Sequence, residues 1–395
     1  MTLCILGRQP ALGLAELERL YGAEQVRQVA PQVAYVDIPL ATVLQRPLGS
    51  SMKIAEVLDN ADGIVWQSSA QKAVKLLEST APEGKLTLGI SAYNFSISPR
   101  DVQKTGLIIK QRLKKSGRSV RLIPNNETSL NTAQVLHNRL GTADNKREIL
   151  IVAMNDGRTV IAQTKQVQDI EAYTFRDRGR PRRDAYVGML PPKLAQTMIN
   201  LGGFVHAQPE AGLAQPRLLD PFCGTGVVLQ EAALLRYAVY GTDVSEKMIR
   251  YSRDNLQWLA ETHRVHFDWY LHEADATSAT WQQPIDVVVG ETYLGKPLSS
   301  EPSPALLADI KHECNTIIKN FLKNLARQLA PGTPLCIAVP AWHTASGVHH
   351  ISALDDLENI GYNRIDFIHA SNEDLIYHRE DQIVGRELLV LIRSN

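Results

Sequence analysis

Short apolar runs and helix-period stripes alternate along the chain. Residues 2–6 form an apolar run that predicts a strand. Residues 11–21 carry apolar positions at helical spacing and stop at Gly22, a residue suited to a helix C-cap. Residues 32–38 alternate like a strand, and residues 43–58 predict helical stretches interrupted near 47–50. This opening reads as a small α+β unit. A second unit starts near Lys85, with a strand over 86–93 and a helix opened by Ser98 and Pro99 and running to Lys115. A strand over 119–123 and a helix over 131–140 follow. Runs at 148–154 and 159–163 flank Asn155-Asp156-Gly157, a hairpin signal.

Residues 175–184 hold five arginines without an apolar period, which predicts a linker or exposed loop. A helix over 192–201 comes next. From Arg217 onward strands and helices alternate. Strands are expected at 217–219, 238–241, 265–273, 285–289, 334–339, 364–369 and 387–392, and helices at 227–235, 246–259, 306–329 and 354–360. Such alternation predicts a mostly parallel sheet with helices on both faces. The expected fold class is therefore α/β in this half, behind smaller α+β units.

Composition narrows the class. Apolar residues are 44% and charged residues 21% of the 395, ordinary for a globular protein. No apolar run approaches the ~18 residues of a membrane span. The first ten residues lack the basic head and apolar core of a secretory signal. Four separated cysteines make neither a CxxC pair nor a disulfide scaffold, so a cytoplasmic setting and no metal are expected. Formal net charge is zero, yet residues 1–190 hold 26 Lys+Arg against 18 Asp+Glu. That asymmetry suggests a polyanion-binding part.

The richest stretch is Asp220-Pro221-Phe222-Cys223-Gly224-Thr225-Gly226. A strand ends in an acid, a Gly-x-Gly turn follows and a helix begins, so backbone can approach a ligand at the sheet's carboxyl edge. Position 229 is Leu, so this is not the GxGxxG dinucleotide fingerprint. Asp243, followed by Val244, ends the next strand, where an acid can accept ribose hydroxyls. Asp275 and Ala276 end a third, placed for an adenine amine. A lone strand-end Asp is usually a helix cap. Three in order outline a nucleoside pocket. Cys223 reads as a small residue chosen for fit.

Asp220–Gly226 with Gly241-Thr242-Asp243 resembles the S-adenosylmethionine site of class I methyltransferases, in the wording of the branch that methylates exocyclic amines of nucleic acids. Residues 6–12 and Ala15-Glu16-Leu17 are similar to the start of the THUMP-domain tRNA guanosine-N2 methyltransferases that act on guanosine 10. Residues 188–196 fall where those enzymes carry the helix before the first sheet strand. The resemblance implies a ferredoxin-like unit over 1–75, a THUMP-like RNA-binding unit over 76–170, a basic linker over 171–190 and a Rossmann-like methyltransferase domain over 191–395. It also implies S-adenosylmethionine as cofactor, tRNA as partner and, from related eukaryotic enzymes, a small activator subunit as a candidate partner.

The family's fourth strand ends in Asp-Pro-Pro-Tyr, which holds the target amine and stacks the base. Here Glu291-Thr292-Tyr293-Leu294 stands in its place. Three readings follow for these candidate catalytic residues. Glu291 accepts from a guanine edge while Tyr293 stacks, the motif serves another acceptor, or the site no longer catalyses. A DNA amine methyltransferase and an RNA-binding protein with a silent fold are the alternatives to a tRNA (guanine-N2) methyltransferase. Lys110, Lys114, Lys115, Arg118, Arg121, Arg176, Arg178, Arg180, Arg182 and Arg183 are candidate phosphate contacts, against the plainer reading of solvated faces. Tyr93 and Phe95 are candidate base-stackers, against core packing. His343, His349 and His350 do not form a metal set.

Overall fold

Every position of β1 (Thr2–Leu6) is buried, as an apolar run between two sheet neighbours requires. Helix α1 (Pro10–Tyr21) follows, then β2 (Val26–Ala30), β3 (Val33–Val36), α2 (Leu40–Leu44) and β4 (Ser51–Asp62). Next come α3 (Trp66–Thr80), β5 (Lys85–Tyr93), α4 (Pro99–Lys115), β6 (Ser119–Leu122), α5 (Thr132–His137), β7 (Lys146–Ala153) and β8 (Arg158–Val167). The strands form one eight-stranded sheet in the order β2-β3-β1-β4-β8-β7-β5-β6, continuous through the β4–β8 pairing. The computed structural model describes residues 1–184, 189–203 and 215–395. Chain contacts separate Met1–Ala172 from Tyr173–Asn395.

Local chemistry explains several of these elements. Ser98 caps α4 through a capping box with Asp101. Asn131 does the same for α5 with Gln134. Val102, Ile109 and Leu113 of α4 are fully buried, and Lys110, Lys114 and Lys115 lie on its exposed side. The core also holds a charged pair. Lys53 Nζ donates to Glu148 Oε1 at 2.5 Å, and Ser91 and Thr164 donate to the same carboxylate. A buried charge needs such partners.

Two expectations for this unit are corrected. Residues 51–58 are strand, not helix. The pairing of β4 with β8 shifts register at Ile54/Ala55 and again at Val57/Asp59, and these irregularities erase the period-two signal. Helix α3 has no counterpart in the pattern reading, although its buried Ala70, Ala73, Val74 and Leu77 lie at helical spacing.

The second unit begins inside α6 (Ile170–Gly179), where a linker or exposed loop was expected. Helix α7 (Pro192–Leu201) leads to β9 (Arg217–Asp220), α8 (Val227–Leu234), β10 (Ala238–Asp243), α9 (Glu246–His263) and β11 (Trp269–Glu273). Then follow β12 (Val287–Glu291), α10 (Pro304–Ala326), β13 (Pro334–Thr344), β14 (Gly347–His349), α11 (Leu357–Ile360), β15 (Tyr362–Arg364), β16 (Ile376–Tyr377) and β17 (Val384–Arg393). The main sheet order is β11-β10-β9-β12-β13-β17-β15. The first five strands are parallel, while β17 runs antiparallel to both β13 and β15. The expected strand at 364–369 shares only Arg364 with β15, and Ile368 beyond it is 77% exposed.

Apolar side chains of α10, among them Cys314, Ile318, Phe321 and Leu325, pack in one cluster with Leu219, Val288 and Ile337 of the sheet. Helix α7 lies against β12 and β13, and α8 against β9 and β10. The strand order turns back between β9 and β12, so the carboxyl ends of β9, β10 and β12 open on the crevice where α/β sheets bind ligands.

Candidate active site

A cavity of about 950 Å³ occupies that crevice. Asp220, Asp243, Asp275 and Glu291 all line it, from four successive strand ends or the turns just after them. Pro221, Cys223, Gly224, Thr225, Val244, Ala276, Thr292 and Tyr293 line it too. The structure thus brings together along the cavity every candidate cofactor and catalytic residue except Gly226, the N-cap of α8. Helix α10 contributes Glu313, Thr316 and Asn320, which the sequence pattern did not single out.

The loop after β9 is held by its own backbone. Gly224 and Gly226 have φ of +50° and +80°, where a Cβ is strained. A Cβ on Gly226 would also lie 2.9 Å from Ser252 Oγ. Ser252 Oγ donates to the Gly224 carbonyl at 2.8 Å, and buried Asn255 donates to the Thr225 carbonyl at 2.8 Å. Nothing crowds the outer side of Gly224, where a Cβ would meet only one atom, at 4.0 Å. The turn therefore presents bare backbone to the cavity. Cys223 is a packing residue: burial pushes its thiol well above the ordinary value, so it is not held as a reactive thiolate.

The acids differ in environment. Asp220 is buried and accepts from the Phe222 N–H at 3.1 Å. Burial raises its carboxyl well above the usual carboxylate range, and the charges of Asp243 and Glu291 add to this. The backbone requires the crowding: a Cβ on Gly290 would stand 2.5 Å from Asp220 Oδ1. Asp243 accepts from the N–H groups of Ser245 (2.9 Å) and Gly224 (3.0 Å), and burial raises it above the usual range despite these bonds. Asp275 is exposed and accepts from the Thr277 N–H and hydroxyl, both at 2.8 Å. Val244, 70% exposed beside Asp243, offers a flat apolar face at the cavity edge. Clustered carboxylates beside bare backbone favour a cationic ligand that also presents hydroxyl and amine donors.

The four-residue motif after β12 is tied down. Thr292 donates both its N–H and its hydroxyl to the Ala338 carbonyl, each at 2.9 Å. Its hydroxyl is thereby committed to the sheet. Tyr293 shares a hydrogen bond with Glu313 and packs at the edge of the α10 core. Glu291 Oε1 accepts from Arg386 Nε of β17, in an ion pair whose side chains are 16% and 9% exposed. Burial raises the Glu291 carboxyl above the usual range, and Arg386 offsets part of this. Arg386 escaped the sequence reading because the last strand was expected to start one residue later, at Glu387.

The basic residues separate into three groups. On the first unit Lys110, Lys114 and Lys115 are exposed, Arg118 donates to the Glu78 carbonyl at 2.8 Å, and Arg121 donates to Asn138 at 3.2 Å. On the second unit Arg178 and Arg183 are exposed. The other three arginines of 175–184 are engaged. Arg176 forms a two-point pair with buried Glu231, at 2.6 and 3.0 Å. Arg180 is 3% exposed. Arg182 donates to Asp254 at 2.6 Å, and its peptide group bonds Asn255 through both N–H and C=O. Asn255 also holds Thr225, so this segment is fastened to the glycine loop, and its Asp184 lines the cavity. Residues 185–188, at the end of the expected linker and including Gly188, lie outside the described residues.

Other candidates resolve as packing. Lys53 Nζ sits 5.8 Å over the Tyr93 ring, and Phe95 packs edge-on against Trp66 at 5.3 Å. His343 stacks on His378 at 3.6 Å, His349 bonds Thr344 and Ser346, and His350 bonds Glu387. Among the described residues, no group of three or more His, Cys, Asp or Glu is arranged to hold a metal ion. No helix among them is long and apolar enough to cross a membrane.

The chain is similar to known proteins in part of its sequence and in its fold. A family model described as an RMKL-like methyltransferase domain matches residues 178–341. The tRNA (guanine(10)-N2)-dimethyltransferase of Methanothermobacter thermautotrophicus is 34% identical over 155 residues, 39% of this chain and 40% of that protein. The enzyme of the same name from Pyrococcus abyssi is 28% identical over 176 residues, 45% of this chain and 44% of that protein. The matched segment thus spans under half the length of these curated relatives. Among solved structures, TrmN from Thermus thermophilus superposes with a TM-score of 0.53 at 16% identity, covering 100% of both chains. SMU.472, a putative methyltransferase complexed with SAH, gives 0.51 at 11% identity, covering 100% of this chain and 98% of that one. The chain has an α/β fold with a Rossmann-like methyltransferase sheet, and its sequence is similar to tRNA (guanine(10)-N2)-dimethyltransferases over about two fifths of its length.

Proposed function

We propose that this chain transfers a methyl group from S-adenosylmethionine to the exocyclic N2 amine of a guanosine in tRNA. The observation that carries the reading is the single cavity lined by Asp220, Asp243, Asp275 and Glu291 beside the open glycine turn. The likeness to two tRNA (guanine(10)-N2)-dimethyltransferases supports the nucleoside and the RNA.

The residues present fit the cofactor. Asp243 is placed for ribose hydroxyls, Asp275 and the Ala276 backbone for the adenine amine, and Val244 for the adenine face. The Gly224 backbone and Asp220 take the methionine end, where a cation relieves the crowding of Asp220 with Asp243 and Glu291. When bound, S-adenosylmethionine supplies an electrophilic methyl group on a sulfonium. Glu291 holds the amine N–H and aims its lone pair at that carbon, so orientation does most of the catalysis. Bound there, the cofactor would give up its methyl group to the amine and leave as the neutral thioether, and Glu291 would pass the displaced N–H proton toward solvent. Tyr293, at the cavity wall, stacks on the base. Thr292 braces the motif through Ala338.

Residues 1–172 are read as the RNA-gripping part, with a ferredoxin-like segment and a THUMP-like segment sharing one sheet. The exposed Lys110, Lys114 and Lys115 support this. Target guanine in folded tRNA must leave its stack to reach the cavity. A cytoplasmic setting follows from such a substrate.

Two substitutions test the reading. Asp243→Ala is expected to weaken S-adenosylmethionine binding about 10-fold or more in calorimetry, through loss of a charged acceptor. Glu291→Ala is expected to keep cofactor and tRNA binding while methyl transfer falls at least about 100-fold. Full activity in Glu291→Ala would refute the assignment of the amine-holding residue.

A further inference from the structure

Glu291 is not a free acid at the cavity wall. Arg386, buried and carried by the antiparallel strand β17, donates Nε–H to Oε1. The other oxygen, Oε2, accepts no hydrogen bond among the described residues. Burial disfavours charge on Glu291, and the guanidinium that fixes one side of the carboxylate gives it a defined orientation and offsets part of that cost. Its remaining lone pairs can only accept.

This distinguishes between nucleobase edges. Guanine presents two adjacent donors, N1–H and the N2 amine. Adenine and cytosine present an amine beside a ring nitrogen that is an acceptor. An anionic carboxylate pairs with the first edge and repels the second. A protonated carboxyl, with one donor and one acceptor, suits the second edge better. Which edge the site selects therefore depends on whether Glu291 stays charged.

Resting on the function proposed above, we infer that Arg386 is a positioning residue that keeps Glu291 an oriented anionic acceptor, and that the site thereby selects an amine flanked by a ring N–H. The groups near Glu291 agree with this division of labour. Arg386 reaches it from β17, and Asp220 lies at the end of β9, where the Glu291 charge opposes ionisation of Asp220. Tyr293 and Glu313 line the same cavity from the motif and from α10. Arg386 is the cation that meets the Glu291 carboxylate among the described residues. Its neighbour Glu387 is engaged separately, by His350 at 2.5 Å and Arg364 at 3.2 Å.

The test compares full-length wild type, Arg386→Gln and Arg386→Lys, with S-adenosylmethionine and tRNA transcripts whose target guanine is intact or replaced by 2-aminopurine. That base keeps the 2-amine but has an acceptor at N1. Wild type is expected to discriminate against it by about 10- to 100-fold in kcat/KM, the worth of a hydrogen bond to a charged group. Arg386→Gln keeps a hydrogen-bond donor and removes the charge. Its acidic limb in the kcat/KM profile is expected to move up by about 1–3 pH units, and its discrimination to shrink. Arg386→Lys is expected to restore much of the limb, and S-adenosylmethionine affinity should stay within about 3-fold of wild type in both variants.

A merely structural arginine would lower activity at every pH and leave the limb and the base preference in place. That result overturns the inference while leaving the methyltransferase reading intact, as would equal use of 2-aminopurine by wild type. Absence of methyl transfer in wild type removes the reading and the inference together. If Arg386→Gln fails to fold, Arg386→Lys and the 2-aminopurine comparison each retain the power to overturn it.

Discussion

Asp220 sits where burial and like charges disfavour its ionised form, a placement the proposed cofactor site would put to use. Its carboxyl is buried, faces Asp243 and Glu291, and sits where Gly290 leaves just enough room. A carboxyl held above its unfolded value binds more protons in the folded state. Folding stability therefore falls as pH rises through the interval between the two values. Asp220→Asn removes this dependence while keeping an acceptor for the Phe222 N–H. The ligand-free variant should melt with wild type at and below about pH 4 and progressively above it as pH rises through the titration of the folded carboxyl, by about 2–4 °C for each ~1 kcal/mol. A difference that stays constant with pH would contradict the buried-acid account. Asp220, Asp243 and Asp275 could be picked out as acids at or just past the ends of short apolar runs in a strand–helix alternation, and the structure sets them along one cavity. Arg386 could not, because its partner lies 95 positions away in the chain and only the β13–β17 pairing brings the two near.

Among the elements, the segment from Ile170 to Asp184 departs furthest from expectation. Five arginines and no apolar stripe suggest solvent. The structure instead makes α6 and a strap whose arginines act through packed stems and specific acids. Helical propensity and pattern could not reveal this, since the stabilising partners Glu231, Asp254 and Asn255 belong to α8 and α9. The two kinds of arginine should behave differently. Arg176→Met strands the buried Glu231 carboxylate and is expected to destabilise the protein by about 3–5 kcal/mol in denaturant unfolding. Arg178→Ala with Arg183→Ala should leave stability within about 0.5 kcal/mol. Equal destabilisation in both would mean that the Glu231 pair carries no special weight. Where sequence period and tertiary geometry agree, as in α4 with its Ser98–Asp101 box, the element was readable to its ends. Where bulges intervene, as in β4, it was not.

At the scale of the whole chain, the division after Ala172 alters the charge picture. Residues 1–172 hold 21 Lys+Arg against 16 Asp+Glu, a smaller excess than residues 1–190 suggested, because the arginine segment belongs to the second unit. Basic character in the first unit is concentrated locally, on the exposed side of α4. If Lys114 and Lys115 meet phosphates, replacing both with Ala weakens tRNA binding and flattens its log–log salt dependence by about one unit for each phosphate no longer neutralised. An unchanged slope would place the RNA elsewhere. The α/β architecture of the second unit follows from its strand–helix alternation, but the joining of eight strands into one sheet in the first depends on long-range pairings that no local pattern encodes.

On the function proposed, the cavity at the carboxyl edge of the second sheet methylates guanine N2 in tRNA. The most direct measurement incubates the full chain with isotopically labelled S-adenosylmethionine and unmodified tRNA, digests the RNA and identifies the labelled nucleoside by mass spectrometry. Label is expected in N2-methylguanosine and is abolished when Glu291 is replaced by Ala. Label in N6-methyladenosine or in a methylated cytidine, or none despite measured binding of both cofactor and tRNA, would contradict it.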